Sequence, residues 1–342
     1  MAVAQQTVTH DHVAPKNAKG PWADAFTRLL KNPAAVVSML FILFLLLIAI
    51  LAEQLNPYVL QGFSDAVEVQ PAYAKQTLAD NSKSFGAVST GTTTEGFVYW
   101  LGADHLGRDI LSRTMYGARV SLAVAFIASA VSLFIGLVYG LVSGYAGGRV
   151  DDLMMRVVDL LYGLPIIIIV ILLQVYFKAL GRQTDVSGFV GAVLNLNRSL
   201  GGLLFLFVAL GALNWLGMAR IARGQTLSYK RQEFVEAAEA VGATPRRILF
   251  THLLPNILGP CIVAETLAIP GYILTEAFLS FIGLGVDPPT ASWGIMLNES
   301  YKAIRSSPHM IVGPAVALSL TVLAFNFLGD GLRDVFDPRM RE

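Results

Sequence analysis

Two carboxylates stand out by their surroundings. Glu265 and Glu276 are the only Asp, Glu, Lys, Arg or His residues inside the long apolar runs of this 342-residue sequence. Such a group is costly in lipid, turns toward the protein interior and often marks a route for solute or ions. Eleven residues separate the two. On an unbroken helix that spacing overshoots three turns by about 20° and spans about 16 Å, so both side chains share one face. Pro270 lies between them and can rotate that relation. Glu276 fits a path or a hydrogen-bonded position near one membrane interface. For the deeper Glu265, path-lining and structural roles are both open. A path-lining carboxylate would favour solutes with a cationic group.

A second block carries surface chemistry. Good helix formers run through Phe234-Val235-Glu236-Ala237-Ala238-Glu239-Ala240-Val241, and Gly242 suits the left-handed residue after a helix end. Thr244 offers an N-cap oxygen, and Pro245 fits the first position of a new helix before Arg246 and Arg247. The block closes on His252-Leu253-Leu254-Pro255-Asn256, with Pro255 where the chain turns back into an apolar run. Two short helices at an angle are predicted. Ala237, Ala238 and Ala240 give the first a small-residue surface that another protein can approach closely; the plainer alternative is a solvated connector.

Other chemistry is excluded by sequence. No G-x-x-x-x-G-K-S/T stretch occurs, nor any Gly-Lys dipeptide, so the phosphate cradle and its lysine are missing. No H-E-x-x-H or G-x-S-x-G pattern is present. His10-Asp11-His12 reads as part of a disordered tail rather than a metal site. The single cysteine, Cys261, excludes an internal disulfide framework.

The elements that position these residues follow from composition. Hydrophobic residues make up 54% and charged residues only 14%, with a mean hydropathy of +0.59. A soluble domain carries about 25% charged residues, so the chain reads as a polytopic membrane protein. The net charge of +1 supplies no field for nucleic acid. Runs long enough to cross a bilayer lie at 34–52, 120–145, 160–177, 201–219, 257–285 and 310–329. All six are predicted to be helices, because lipid leaves backbone groups no other partner. The first run is too long and too far from the start for a cleavable leader. With the N-terminus inside, inner segments hold 15 Lys and Arg and outer ones 10, or 5 without the long 53–119 segment. Both termini are therefore predicted cytoplasmic. Gly136, Gly140 and Gly144 line one face of the second span and suit close helix packing, with solute contact as the alternative. Pro165 and Pro270-Gly271 permit kinks. The stretch near 60–96 has no evident chemistry and reads as a partly ordered loop.

Four ordered blocks carry a resemblance. Glu236-Ala237-Ala238, Gly242 and Leu254-Pro255 match the EAA loop of binding-protein-dependent ABC importer permeases, with His252 where the general pattern prefers isoleucine. Residues 101–113, from Leu101 through Asp104, Gly107, Arg108, Asp109 and Arg113, resemble the LGTDxxGRDxxSR block of the peptide-permease branch, with Ala103 in place of threonine. Glu276–Gly285 with Ser292-Trp293-Gly294, and Leu328–Asp334 (including Asp330 and Arg333) with Asp337-Pro338-Arg339, resemble two further blocks of that branch.

The resemblance implies a C-type subunit of a dipeptide or oligopeptide importer with the type I permease fold. Nickel or another small solute is the alternative cargo. Its partners would be a second permease, two cytoplasmic ATPases that bind ATP and Mg²⁺, and an extracytoplasmic solute-binding protein. The chain itself would hold no cofactor and no catalytic site. Glu236, Ala237, Ala238, Gly242, Thr244, Arg246, Leu254 and Pro255 would form the ATPase-coupling segment in the cytoplasm. The implied organisation is a tail (1–33), a first span (34–52), an outer loop with an interfacial helix (53–116), a five-helix core (117–330) and a second tail (331–342). Asp109 and Arg113, four apart, are predicted to pair on that interfacial helix, and Glu265 to face the seam with the second permease. An ion-coupled secondary transporter would instead use the buried carboxylates, but inverted repeats are not evident. A membrane hydrolase lacks its motifs.

Overall fold

A computed structural model describes residues 26–67, 70–181, 188–287 and 289–336. The described residues form a predominantly α-helical bundle, and among them five helices are long and apolar enough to cross a membrane, or six if one bent pair counts as a span. Helix α1 (Pro33–Ile50) begins where Asn32 Oδ1 accepts the backbone N–H of Ala34 and Ala35, with Pro33 at the first turn. The loop-rich segment after it leads into α2 (Ile110–Ala146), whose 37 residues extend ten positions ahead of the expected span.

The third expected run, 160–177, falls across a bent pair of helices. An amphipathic helix, α3 (Gly148–Tyr162), and an apolar one, α4 (Ile166–Gly181), meet at 74° around Gly163-Leu164-Pro165. Proline removes a backbone donor and clashes with the preceding turn, so the kink falls where the sequence places it. Helix α5 (Gly188–Ser199) leads to α6 (Leu203–Tyr229) and the short α7 (Glu233–Ala240). Next comes α8 (Pro245–Phe281). Its start is a helical turn at Pro245–Arg247 followed by a π-helical stretch, Ile248–Leu253, that runs unbroken into Leu254–Phe281. This corrects two expectations: the second short helix is the first turn of a span, and Pro255 marks no turn. Pro255 follows directly on the π-helical stretch, at the point where the helix changes to α-helical bonding. Helices α9 (Trp293–Lys302) and α10 (Val312–Phe336) complete the bundle.

Packing follows the small residues. A Cβ on Gly136, Gly140 or Gly144 would strike Met218, the Ala219 carbonyl or Thr226, so α2 and α6 lie backbone to backbone. Leu122 and Ala125 of α2 share a core with Ile42 and Leu45 of α1, Ile273 of α8 and Phe325 of α10. Successive crossings put the ends of α1, α4 and α8, and the starts of α2, α6 and α10, at one loop-rich end. The segment carrying α7 lies at the other.

The described residues of the stretch near 60–96 are more structured than the partly ordered loop expected of them. Tyr58 stacks on Phe97 with ring centroids 4.2 Å apart, and Tyr99 meets Phe97 edge-on at 4.9 Å. Strands β1 (Ala87–Val88) and β2 (Val98–Tyr99) pair antiparallel. Buried Asp80 accepts from Ser89 Oγ at 2.5 Å, from the Thr90 N–H at 2.8 Å and from the Tyr99 hydroxyl at 3.3 Å. Burial alone would raise the Asp80 carboxyl, but the Ser89 and Thr90 hydrogen bonds and nearby Lys83 hold it below its usual range. Gly107 joins this subdomain to the turn before α2, at φ +74°, where a Cβ would lie 1.9 Å from the Thr77 carbonyl oxygen. Gly107→Ala is therefore expected to lower the melting temperature of the purified protein by several degrees, since both backbone strain and a backbone clash must be relieved. An unchanged melting curve would contradict the observed turn.

Candidate functional site: coupling segment and buried carboxylates

The α7 end presents an anchored helix beside a surface cleft. Val235 is buried against Ile248, Leu253 and Ile257, which anchors the helix to the start of α8. Gly242 lies at φ +79°; its N–H bonds the Glu239 carbonyl at 2.9 Å, and the Ala243 N–H bonds the Ala238 carbonyl at 3.0 Å. This is the left-handed helix end expected at Gly242. Thr244 Oγ1 accepts from the Arg247 N–H at 3.4 Å. Glu236, Ala237, Arg246 and Pro255 are exposed, Leu254 is half-buried, and Ala238 forms the buried edge. Phe234 and the strongly exposed Val241 (84%) flank a cleft of about 410 Å³ lined by Ala237, Ala238, Gly242, Arg247 and His252. The cleft is mainly apolar, with Arg247 and His252 as its charged or polar lining.

The platform behind it rests on ion pairs that the sequence reading did not find. Arg223 of α6 holds Asp151 of α3 through two hydrogen bonds of 2.5 and 2.6 Å, and Ser143 of α2 donates to the same carboxylate. Arg220 reaches Asp159 at 2.6 Å and lies 4.0 Å from the Tyr162 ring centre. The three-residue spacing of Arg220 and Arg223 put both on one helix face. That was the available signal, but nothing local named the partners.

Glu265 and Glu276 do share a face, and their partners explain it. Glu276 accepts from Ser121 at 2.8 Å and Ser280 at 2.7 Å; Glu265 accepts from Ser132 at 3.2 Å and the Tyr272 hydroxyl at 2.9 Å. Ser121 and Ser132 are themselves eleven residues apart on α2. Antiparallel α2 and α8 therefore meet at two rungs in one register, and Pro270 does not disturb it. Glu265 is 3% exposed and Glu276 0%. The expectation that Glu265 faces a seam with a second subunit is overturned: its carboxylate turns inward onto its own chain, where hydroxyls satisfy it.

At the loop-rich end, Asp104, Arg108 and Arg113 form a buried cluster with Glu299 of α9. Asp104 Oδ2 takes Arg108 Nε and Arg113 guanidinium nitrogen, both at 2.6 Å. Glu299 takes Arg108 at 3.0 Å and Arg113 at 2.5 Å. Two acids and two guanidiniums balance. Burial would raise both carboxyls, yet Arg113 and then Arg108 hold Asp104 and Glu299 below the ordinary carboxylate range. The predicted Asp109–Arg113 pair does not form. Asp109 is the N-cap of α2, folded back onto the Ser112 N–H at 2.7 Å, which points it away from Arg113. Burial pushes the Asp109 carboxyl up to about 6, against that hydrogen bond. The predicted interfacial helix is absent too: 101–109 is a turn, and Ile110 already starts the span. Asp330 and Arg333 are exposed on the last turns of α10. Asp337, Pro338, Arg339, His10 and His12 lie outside the described residues.

Comparison with known proteins shows the family of the chain. Residues 136–342 match the family described as binding-protein-dependent transport system inner membrane component. Residues 20–72 match the N-terminal TM domain of oligopeptide transport permease C. The chain is 39% identical to the dipeptide transport system permease protein DppC of Bacillus subtilis, over 93% of this chain and 86% of that protein. It is 38% identical to the oligopeptide transport system permease protein OppC of Haemophilus influenzae, over 94% and 89%. A glutathione transport system permease protein, GsiD of Pectobacterium atrosepticum, is 34% identical over 96% and 95%.

Proposed function

Because the chain belongs to the family of binding-protein-dependent transport system inner membrane components, we propose that it is one permease subunit of an ABC importer for short peptides. The α7 surface carries this reading. A rigidly anchored helix, a left-handed stop at Gly242 and an apolar cleft make a lever that a cytoplasmic ATPase can push. Energy arrives in trans: the sequence has no phosphate cradle, so ATP and Mg²⁺ belong to two partner ATPases. A second permease completes the path, and an extracytoplasmic binding protein delivers the solute. The core is 117–330, with both termini cytoplasmic and the 53–109 subdomain outside. Relatives named for dipeptide, oligopeptide and glutathione transport share the peptide class as cargo. The carboxylates favour this reading over an ion-coupled carrier, because their hydroxyl partners tie two helices together. Their role is then to hold the walls of the path rather than to line it.

Two measurements test it. Co-purification from membranes should bring ATPase subunits with the chain, and their absence would remove the assignment. Thiol labelling of intact cells should reach Glu95→Cys and miss Ala240→Cys, two exposed positions at opposite ends. External labelling at residue 240 would invert the orientation and deny the α7 surface its ATPase.

A further inference from the structure

A buried amide at the loop-rich end lacks a partner. Gln174, on α4, is 1% exposed, and its Nε2 makes no hydrogen bond among the described residues. Such a donor costs free energy unless an acceptor reaches it. It lies on a cavity of about 370 Å³ where α4, α5, α6 and the turn after α8 converge. The surrounding frame is built. Asn197 Oδ1 accepts the Phe205 N–H at 3.2 Å, and the Gly202 N–H bonds the Asn197 carbonyl at 2.9 Å. Phe177 and Phe205 stack at 4.5 Å to form an apolar wall. Lys178, one turn beyond Gln174, donates to Asp287 at 3.0 Å and to the Gly283 carbonyl at 3.3 Å. An ammonium has three donors, so one remains for a further acceptor. Arg198 also borders the cavity, braced on the Gly181 carbonyl at 3.0 Å.

An amide donor, an ammonium donor and a guanidinium around an apolar wall suit an oxyanion joined to a small organic body. We propose that this cavity is an outer binding site for the carboxylate end of the solute, with Gln174 and Lys178 donating to the carboxylate or its adjacent carbonyl. The proposal rests on the peptide reading above and adds the place and the end of the peptide that is held. Asp287 and the Gly283 carbonyl hold the Lys178 ammonium at the cavity, and the phenyl wall accepts the C-terminal side chain. A cavity of this volume lies within the ordinary range for small-molecule sites.

The test uses the complete permease–ATPase complex in phosphatidylcholine nanodiscs, without binding protein. Equilibrium binding of the dipeptide Ala-Ala is compared with that of its C-terminal amide. The wild type should bind the free carboxylate about tenfold more tightly, the value of one hydrogen bond to a charged group. Gln174→Leu and Lys178→Gln should each abolish that preference while leaving the weaker binding of the amide unchanged. A variant that fails to assemble is replaced by the other. No preference in the wild type, or a preference that survives both variants, overturns the site. Nanodiscs containing phosphatidylglycerol separate a second source of oxyanion. If Gln174→Leu reduces retained phosphatidylglycerol but not peptide binding, the cavity holds a lipid headgroup and the proposal fails. Uptake with the binding protein present keeps the two readings apart. Import of Ala-Ala by a complex that shows no carboxylate preference removes only this site, whereas absence of import removes the peptide reading itself.

Discussion

Arg113→Ala is expected to destabilise the protein by about 3–5 kcal/mol, among the largest effects of any single truncation in this chain. Arg113 is 2% exposed and bonds both Asp104 and Glu299. Removing it leaves buried Asp104 and half-buried Glu299 to share Arg108. Arg113→Lys should recover only part of the loss, because a compact ammonium cannot bridge both acids as the planar guanidinium does. Thermal unfolding of the purified complex measures this, and a change below about 1 kcal/mol would show that the cluster is incidental. The same contacts set a pH response. Asp104 and Glu299 are held below their ordinary values, so their contribution is present above about pH 4 and is lost as pH falls through their lowered values. Asp109 acts oppositely: with its carboxyl raised to about 6, ionisation costs stability as pH rises from about 4 to 6. Arg113→Ala should flatten the acid limb and leave the Asp109 limb in place.

The second large effect concerns coupling. Gly242→Val puts a β-branched residue at φ +79° in otherwise open space, so its cost of roughly 1–2 kcal/mol is backbone strain alone. Combined with Glu236→Arg, which reverses an exposed charge on α7, it should cut solute uptake by at least about tenfold, the equivalent of 1.4 kcal/mol in coupling. Neither residue is needed to hold the bundle, so membrane insertion and expression should persist. Uptake and ATPase co-purification, measured on the same preparation, separate a broken contact from a broken fold. Normal uptake by the double variant would remove α7 from the coupling route.

Local rules made much of this molecule legible. Unbroken apolar runs located the spans, Pro165 located the bend, and Gly242 with Thr244 located the turn after α7. The shared face of Glu265 and Glu276 followed from helical arithmetic. What stayed hidden depends on partners distant in sequence. Glu299 meets Arg113 across 186 residues, and nothing in the block around Arg113 points to it. Ser121 and Ser132 look like ordinary small residues of a packed span until α8 is laid beside them. Asp109 was misread because an acid four residues before an arginine fits both an ion pair and an N-cap; only the start of α2 at Ile110 decides between them. The outer subdomain is held by Tyr58, Phe97, Tyr99 and Asp80 from short separate elements, too short to show a 2.0 or 3.6 periodicity. The π-helical stretch Ile248–Leu253 has no marker in composition, and it joins what Pro255 led one to separate.

The central claim is that this chain moves peptide with energy supplied in trans through α7. Uptake of radiolabelled dipeptide by proteoliposomes containing both permeases, the ATPases and the binding protein tests it most directly. Uptake should require ATP on the α7 side, should be indifferent to an imposed proton or sodium gradient, and should vanish in the Glu236→Arg, Gly242→Val variant. Accumulation driven by an ion gradient without ATP would contradict the account.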